Sequence, residues 1–488
     1  MSGGGARKIA GQGALLTGAF VTSQAASFAR NAILGHWLAK GDFGIAALIT
    51  LTLQLVEILS DLAADRLIVQ DADGEAPCLM ATLHTVQVAR GVLLALVLFI
   101  AGPFVAALFA VPAAAAALQV MAVVPLLKGF QHLDVRRSQR RLDNRAFAIV
   151  EAAPQVLALA LTVPVLLAWP GFGVVVWLAL AQALAAVALS HALAERRYAI
   201  ALDRAVLVRL ARFSWPIWLS AVPLVAVYQG DRLIVGRVLG IEALAAYSAV
   251  FMLAMVPGLL AAKVGQSLML PLLAEVRDAP DRLAARYRAM VAIIVAWAAA
   301  YLAGFVVAGG ALSALAFGSN YTGLGALAGW LALMWAVRMV QAVPGMALMT
   351  LGDTRPLLTA GTLRALPLLP AGLAAMAGHG LEVIAGIGVA GEIASLGWLA
   401  LALERLRSGL GQVLLSRTLL LVPVAGIAAL LAGHVTAGLP APLILLLGVA
   451  AAIAAGVIVA GLTFALDQAA RRLLFGQGGR LTPMPVAG

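Results

Sequence analysis

Long apolar runs alternate along the chain with short joints that are charged or rich in glycine. A helix needs about 20 apolar residues to cross the hydrocarbon of a bilayer. Runs of that kind predict spans at 13–37, 43–66, 84–110, 112–132, 144–168, 172–194 and 214–239 in the first part of the chain. They continue at 244–270, 289–312, 323–349, 356–378, 383–403, 416–434 and 440–465, about fourteen helices in all. The first run is the most polar, with Gln12, Thr17, Thr22, Ser23, Gln24 and Ser27, which suits a helix lining a cavity. The pattern predicts an all-α polytopic membrane protein.

Composition sharpens this. The 488 residues are 63% hydrophobic and 11% charged, against about 25% charged in a soluble domain. No joint approaches the ~100 residues of an extra domain. The net charge of +11 would suit nucleic acid, but the cations fall between apolar runs, where positive residues hold loops on the cytoplasmic side. Nucleic acid is therefore not an expected partner. Arg7 and Lys8 ahead of an apolar run imitate a signal peptide, yet the many later runs favour a retained first helix. Cys78 is the only cysteine, and the six histidines read as scattered, so neither a disulfide nor a metal site is expected.

Charge placement orients the helices. Even-to-odd joints hold Arg136, Arg137, Arg140, Arg141 and Arg145; Arg196, Arg197, Arg204, Arg209 and Arg212; Arg277, Arg282, Arg286 and Arg288; Arg355; and Arg405 and Arg407. Arg471, Arg472 and Arg480 follow the last run, while the turns at 169–173, 309–318 and 433–442 carry no Lys or Arg. Both termini are expected in the cytoplasm. Two places depart from the rule: Lys40 at an outer turn, and the acidic Asp71, Asp73 and Glu75 on the inner side.

A faint internal repeat adds geometry. An offset of 201 sets Ile33-Leu34-Gly35 on Ile234-Val235-Gly236, and an offset of 209 sets Ala194-Glu195-Arg196 on Leu403-Glu404-Arg405. Two pseudo-symmetric six-helix lobes would span 1–200 and 201–410, followed by two further helices over 411–470 and a cytoplasmic tail over 471–488. Parallel repeats of this kind place a substrate site where the halves meet.

Several stretches carry a family resemblance: Leu38-Ala39-Lys40-Gly41-Asp42-Phe43-Gly44, Leu59-Ser60-Asp61-Leu62, Arg212-Phe213-Ser214-Trp215-Pro216, the run from Gly230 to Gly240, Tyr247-Ser248 and Gly352-Asp353-Thr354-Arg355. In this order they resemble the polysaccharide transporter branch of the multidrug/oligosaccharidyl-lipid/polysaccharide flippase superfamily. Ala63 and Ala245 stand where that family usually has glycine. The resemblance implies a bacterial inner-membrane flippase, not an enzyme and with no catalytic residues. It would move an undecaprenyl-diphosphate-linked oligosaccharide by alternating access between two lobes. A monomer is expected, with membrane lipids and the lipid-linked oligosaccharide diphosphate as partners. No cofactor is expected beyond a coupling proton or sodium ion. Two alternatives stay open: a cation-coupled multidrug exporter of the same superfamily, and a membrane glycosyltransferase or polymerase, which would need a long external loop.

A flippase of this kind must carry phosphates past hydrocarbon. A charge at mid-bilayer costs about 2.5–3.5 kcal/mol on the insertion scale, so an intramembrane cation is a functional candidate. Arg30 and Arg232 fall in the outer half of their spans, Lys263 and Arg338 in the inner half, and together they would form a ladder for an anion. The 201 offset sets Arg30 on Asp231, which suggests an Arg30–Asp231 pair that leaves Arg232 for a diphosphate. Substrate binding is thus assigned to Arg30, Asp231, Arg232, Lys263 and Arg338. Arg66, Arg90, Lys128 and Arg237 lie near helix ends and read as snorkelling side chains, while Arg364 is left open. Gln54, Glu57, Asp61 and Asp65 read as one stripe on the second helix. Glu57 and Asp61 are the candidates for ion coupling, although structural pairing, with Lys263 for instance, is the favoured reading of the stripe.

Overall fold

The computed structural model describes residues 3–141 and 143–466, which are helical almost throughout and include no strand. The proposed tail at 471–488, with Arg471, Arg472 and Arg480, lies outside the described residues. The chain opens with α1 (Gly3–Trp37), α2 (Lys40–Leu59), α3 (Ala64–Gln70), α4 (Pro77–Leu108), α5 (Ala115–Met121), α6 (Val123–Gly129) and α7 (Asp134–Arg140). It continues with α8 (Arg145–Ala168), α9 (Val174–Ala192), α10 (Arg204–Ile234), α11 (Ile241–Ala274), α12 (Pro280–Phe317) and α13 (Gly325–Leu351). It closes with α14 (Arg355–Ala365), α15 (Leu368–Met376), α16 (Leu381–Leu406), α17 (Leu410–Thr418), α18 (Leu421–His434) and α19 (Ala441–Leu466).

Among the described residues, 13 stretches are long and apolar enough to cross a membrane. The 35-residue α1 is also long enough to span, but its polar side chains keep it out of that count. With α1 the total is the fourteen read from the apolar pattern, and the chain is a multi-pass membrane protein.

The helices form two compact units. Unit 1 comprises Met1–Leu260, Leu312–Leu327 and Arg364–Gly388; unit 2 comprises Ala261–Ala311, Ala328–Leu363 and Val389–Gly488.

In unit 1 the second helix is shorter than its apolar run. α2 stops at Leu59 and the chain turns through Ala63, which takes the left-handed conformation at φ 50°, before α3 begins. Asp61 Oδ1 accepts the N–H of Ala63 at 2.9 Å, an Asx-type turn. The last carbonyls of α2 find side-chain donors: Arg90 Nη2 donates to Glu57 O at 2.8 Å, and Trp218 Nε1 donates to Leu59 O at 2.6 Å. The expected stripe is therefore split. Gln54 and Glu57 lie on α2, Asp61 in the turn and Asp65 on α3.

The acidic exception at 71–75 has a direct explanation. Arg209 Nη1 lies 2.8 Å from both Asp71 and Asp73, while Arg137, Arg141 and Arg196 reach Glu75 at 3.3, 2.9 and 3.1 Å. Arg137 is buried and also binds Asp134 and Glu195 at 2.5 and 2.6 Å. Burial alone would raise the Asp134 pKa, but the Arg137 guanidinium and the N–H groups of Glu195 and Arg196 bring it below the ordinary carboxylate value. The segment is thus drawn to the face of the protein that carries the arginine-rich joints.

Three of the histidines expected to be scattered gather beside this network. The rings of His84 and His132 lie 4.9 Å apart, and those of His132 and His191 5.3 Å apart. Their nitrogens are committed to backbone. His84 Nε2 accepts from Leu133 N–H at 3.1 Å, His132 Nδ1 accepts from Asp134 N–H at 3.1 Å, and His191 Nε2 donates to Phe130 O at 2.8 Å. Such roles require neutral rings in His84 and His132. Sequence separation hid the cluster, because α4, the 129–134 turn and α9 deliver one ring each.

Two similar close approaches occur in unit 1. A Cβ on Gly35 would lie 2.8 Å from the Phe317 ring, and one on Gly236 would lie 2.9 Å from the Phe109 ring. Phe109 and Phe317 are 208 residues apart, between the two offsets read from the sequence. The residues that follow them, Ala110 and Gly318, both have positive φ. Unit 2 uses a different device. Ala300, Gly304 and Ala308 on α12 face Gly456, Ala452 and Gly448 on α19, an antiparallel seam of small residues that lets two backbones approach closely. On α19, Leu446, Val449, Ile453 and Val457 are 59–67% exposed, as lipid-facing residues should be.

Two outcomes follow for purified protein in detergent. Ala63→Gly removes a left-handed alanine, so it should stabilise by about 1 kcal/mol and raise the melting temperature; a fall would contradict the assigned turn. Burial holds the His132 pKa below its ordinary 6.5, so folding favours the neutral ring. Its contribution is complete above that value and is lost as pH falls through the depressed one. The melting temperature should therefore drop from about pH 7.5 to 5, and His132→Asn should flatten that slope.

Candidate substrate-handling site

The polar centre of unit 1 lies where α10 meets α2, α11 and α14. α10 ends in a π-helical stretch, Val235–Leu239, a departure from regular helix often found at functional sites. One turn before it, Arg232 Nη2 donates to Tyr228 O at 3.2 Å and to Gln229 Oε1. The Arg232 guanidinium also lies 4.7 Å from the centre of the Phe251 ring, and its Nε is buried without a hydrogen-bond partner. Gln229 Nε2 passes the chain on to Gln54 Oε1 at 3.3 Å, and Gln54 is exposed. From α14, the Arg364 guanidinium sits 5.6 Å from the Tyr228 ring.

Asp231 takes no part in balancing that charge through a direct contact. Its Oδ2 accepts from Tyr247 OH at 2.7 Å, and its Oδ1 accepts the backbone N–H of Arg232 at 2.8 Å. The expected Arg30–Asp231 pair is not formed. Arg30 Nη1 donates instead to Gln155 Oε1 and Gln182 Oε1, at 3.4 and 3.3 Å, on α8 and α9. The offset that matched Arg30 to Asp231 gives equivalent places in two repeats, and equivalence alone does not bring two side chains into contact. Arg30 and Arg232 thus share one property: neutral partners.

The remaining assigned residues divide. In unit 2, Arg338 Nε donates to Glu392 Oε1 at 2.6 Å, both side chains being under a tenth exposed. Gln341 Nε2 adds bonds to Glu392 O and Oε2 at 2.8 and 3.0 Å. Arg338 is therefore a neutralised, buried partner of Glu392, not a cation held open for a ligand. Lys263 lies on α11, and its side chain is outside the described residues. Glu57 pairs with Lys128 at 2.8 Å, and Asp61 lies 3.7 Å from Arg66. Lys128 therefore binds a carboxylate on α2, where the sequence had suggested a snorkelling side chain.

Two small polar cavities open beside these pairs. One of about 180 Å³ is lined by Asp61, Asp65, Gln87, Arg90, His132 and Arg136, among others. The other, of about 160 Å³, is lined by Glu57, Gln87, Arg90, Lys128 and Gln131. Arg90 belongs to both. It donates to Ser60 Oγ and Glu57 O, again neutral oxygens. Gln54, Gln229, Arg90 and Arg364 were not among the assigned residues. Arg90 follows thirteen helical residues of α4 and directly precedes the apolar run, which placed it at an interface and obscured its contact with α2. Among the described residues, no group of three His, Cys, Asp or Glu is arranged to hold a metal ion.

A family profile described as polysaccharide biosynthesis protein matches residues 33–325, more than half of the chain. The chain belongs to the polysaccharide biosynthesis protein family. Within the matched region lie Arg90, Asp231 and Arg232, and Arg30 falls just before it. The succinoglycan biosynthesis transport protein ExoT of Rhizobium meliloti (strain 1021) is 31% identical over 238 residues, 46% of this chain and 45% of that protein. The match thus spans less than half the length of that relative. The fold is similar to that of a lipid II flippase, MurJ, in an inward closed conformation, with TM-score 0.71 at 10% identity over 92% of this chain and 99% of the other. It is also similar to an inward-facing multidrug resistance MATE family transporter of the MOP superfamily, with TM-score 0.63 at 14% identity over 79% and 96% of the two chains. The polysaccharide biosynthesis family member described here therefore has the fold of transporters, with its polar residues set into membrane-spanning helices.

The Arg338–Glu392 pair yields a testable outcome. Breaking a buried pair leaves a naked charge and costs about 3–5 kcal/mol, whereas replacing both partners by apolar groups is often neutral. Glu392→Gln should sharply lower the melting temperature in detergent, and Arg338→Met with Glu392→Leu should recover most of it. A double variant as unstable as the single one would assign the pair another role.

Proposed function

We propose that the protein is a flippase that carries an undecaprenyl-diphosphate-linked oligosaccharide from the cytoplasmic to the outer leaflet of a bacterial inner membrane. The observation that carries this reading is the state of Arg232: inside a membrane-spanning helix, bonded to a glutamine and a carbonyl, with Nε unsatisfied. A guanidinium in that setting costs free energy that no neighbouring carboxylate contact returns, and a phosphate is the ligand its planar fork fits. The transport role of the succinoglycan relative supports a polysaccharide repeat unit as cargo, and the lipid II flippase likeness supports a lipid diphosphate.

In this reading Arg30 and Arg232 hold phosphate oxygens in turn as the protein changes its open side. The lipid chain stays in hydrocarbon, and no bond of the cargo is made or broken. Both termini lie in the cytoplasm and the protein acts as a monomer. A proton or sodium ion drives the cycle, with Glu57 as its site, because loss of the Glu57 charge would release Lys128. A cationic drug is a poor fit to arginines whose hydrogen-bond partners are neutral, which places the exporter alternative second.

The test is reconstitution of the full chain in liposomes with a labelled undecaprenyl-diphosphate-linked glycan. Native protein should move the label between leaflets. Arg232→Ala should slow that movement by about tenfold or more while the melting temperature holds, since a charge-assisted phosphate contact is worth roughly 1.5–3 kcal/mol. Equal rates for the two proteins would remove Arg232 from the transport path, and movement of a cationic dye in place of the glycan would favour the exporter.

A further inference from the structure

An apolar groove of about 460 Å³ lies in unit 1 between α4 and α10. Ala89 and Leu93 form one wall, and Leu202, Leu207 and Trp218 form the other. Leu93, Leu202 and Trp218 are 58%, 73% and 46% exposed, so the groove is open on its outer side. Its inner end is Arg90, which also lines both polar cavities.

The depth of this groove follows from α4 itself. Before Arg90 the helix carries Thr82, His84, Thr85 and Gln87; after it, Gly91–Leu108 is apolar throughout. The groove straddles that boundary, the level at which lipid phosphates meet hydrocarbon. Trp218 fits the same level, as interfacial tryptophans do, with its ring in the groove and its N–H on the end of α2.

The charges at the inner end are unevenly matched. Arg66 faces Asp61, Lys128 faces Glu57 and Arg136 faces Asp65, at 3.7, 2.8 and 3.2 Å. Arg90 bonds to a serine hydroxyl and a backbone carbonyl, so among the described residues its positive charge meets no carboxylate contact. An apolar channel that leads from the lipid side to a cation of this kind matches an amphiphile with a long hydrocarbon chain and an anionic head.

We propose that this groove seats the isoprenoid chain of the lipid diphosphate, while the diphosphate turns past Arg90 into the polar cavities. The proposal rests on the flippase reading and adds the place where the cargo is admitted from the membrane, between α4 and α10. The bulk lipid of the membrane is the competing occupant. Arg90 bears on the choice, because a neutral lipid gains nothing from a cation set at the inner end of the groove and a phosphodiester head offers it less charge than a diphosphate does.

The experiment uses the full chain in detergent with geranylgeranyl diphosphate as the probe, and binding is read by titration. Ala89 is exposed, so Ala89→Trp puts an indole into the groove from a position outside the core. It should weaken binding of the probe by about tenfold or more, equivalent to about 1.4 kcal/mol, and leave any binding of inorganic pyrophosphate as it was. Leu93→Trp should do the same. Unchanged affinity in both variants would overturn the groove assignment, and so would equal displacement of the probe by phosphatidylglycerol, which would mark an annular lipid site. Failure of the native protein to move a labelled glycan would count against the flippase reading alone, since the binding titration is read without transport.

Discussion

A charge inside a membrane cannot turn to water, so every ionised side chain in these helices must be answered by the protein or held for something that comes and goes. That constraint sorts the molecule. Glu392 answers Arg338, Glu57 answers Lys128, and the carboxylates of 71–75 are met by four arginines. Arg30, Arg90 and Arg232 are met by amides, a hydroxyl and backbone carbonyls. Amide oxygens stabilise a guanidinium by about half as much as a carboxylate does, and they give it up more readily. The three arginines are thus the cations a phosphate can claim at the lowest cost.

The local backbone supports that sorting. α2 ends early because Asp61 builds a turn on Ala63, and the freed carbonyls of α2 are what Arg90 and Trp218 bind. One break in one helix therefore fixes three things at once: the place of Arg90 between two cavities, the ring of Trp218 at the membrane boundary, and the separation of Asp61 from the face that carries Gln54. A continuous α2 would have aligned the carboxylates and left Arg90 to reach for the membrane surface.

Much of this was legible in the amino-acid sequence, and the limits are physical. Apolar runs revealed the helices because a bilayer imposes length and hydropathy on any span, and the most polar run, α1, is the helix that hydropathy leaves out of the 13. Gly35 and Gly236 stand at matched places of the repeat read from the sequence, and they approach Phe317 and Phe109. The break at Ala63 was hidden, because alanine carries no signal for the left-handed conformation that the usual glycine of the family would have advertised. Pairings were less legible still. Arg338 reads in the sequence as one cation of a ladder, because nothing in one dimension joins it to Glu392, 54 positions away. The histidine cluster failed to show for the same reason: three helices or turns meet there, and none contributes two rings.

The acidic segment after α3 has a consequence for how the protein is made. Its retention on the arginine-rich face owes nothing to its own charge, which is of the wrong sign, and everything to Arg137, Arg196 and Arg209. Arg209 lies 136 residues downstream of Asp73. A nascent chain therefore threads its first four spans before Arg137 exists to hold that loop, and the tether is complete only when the ribosome has delivered the start of α10.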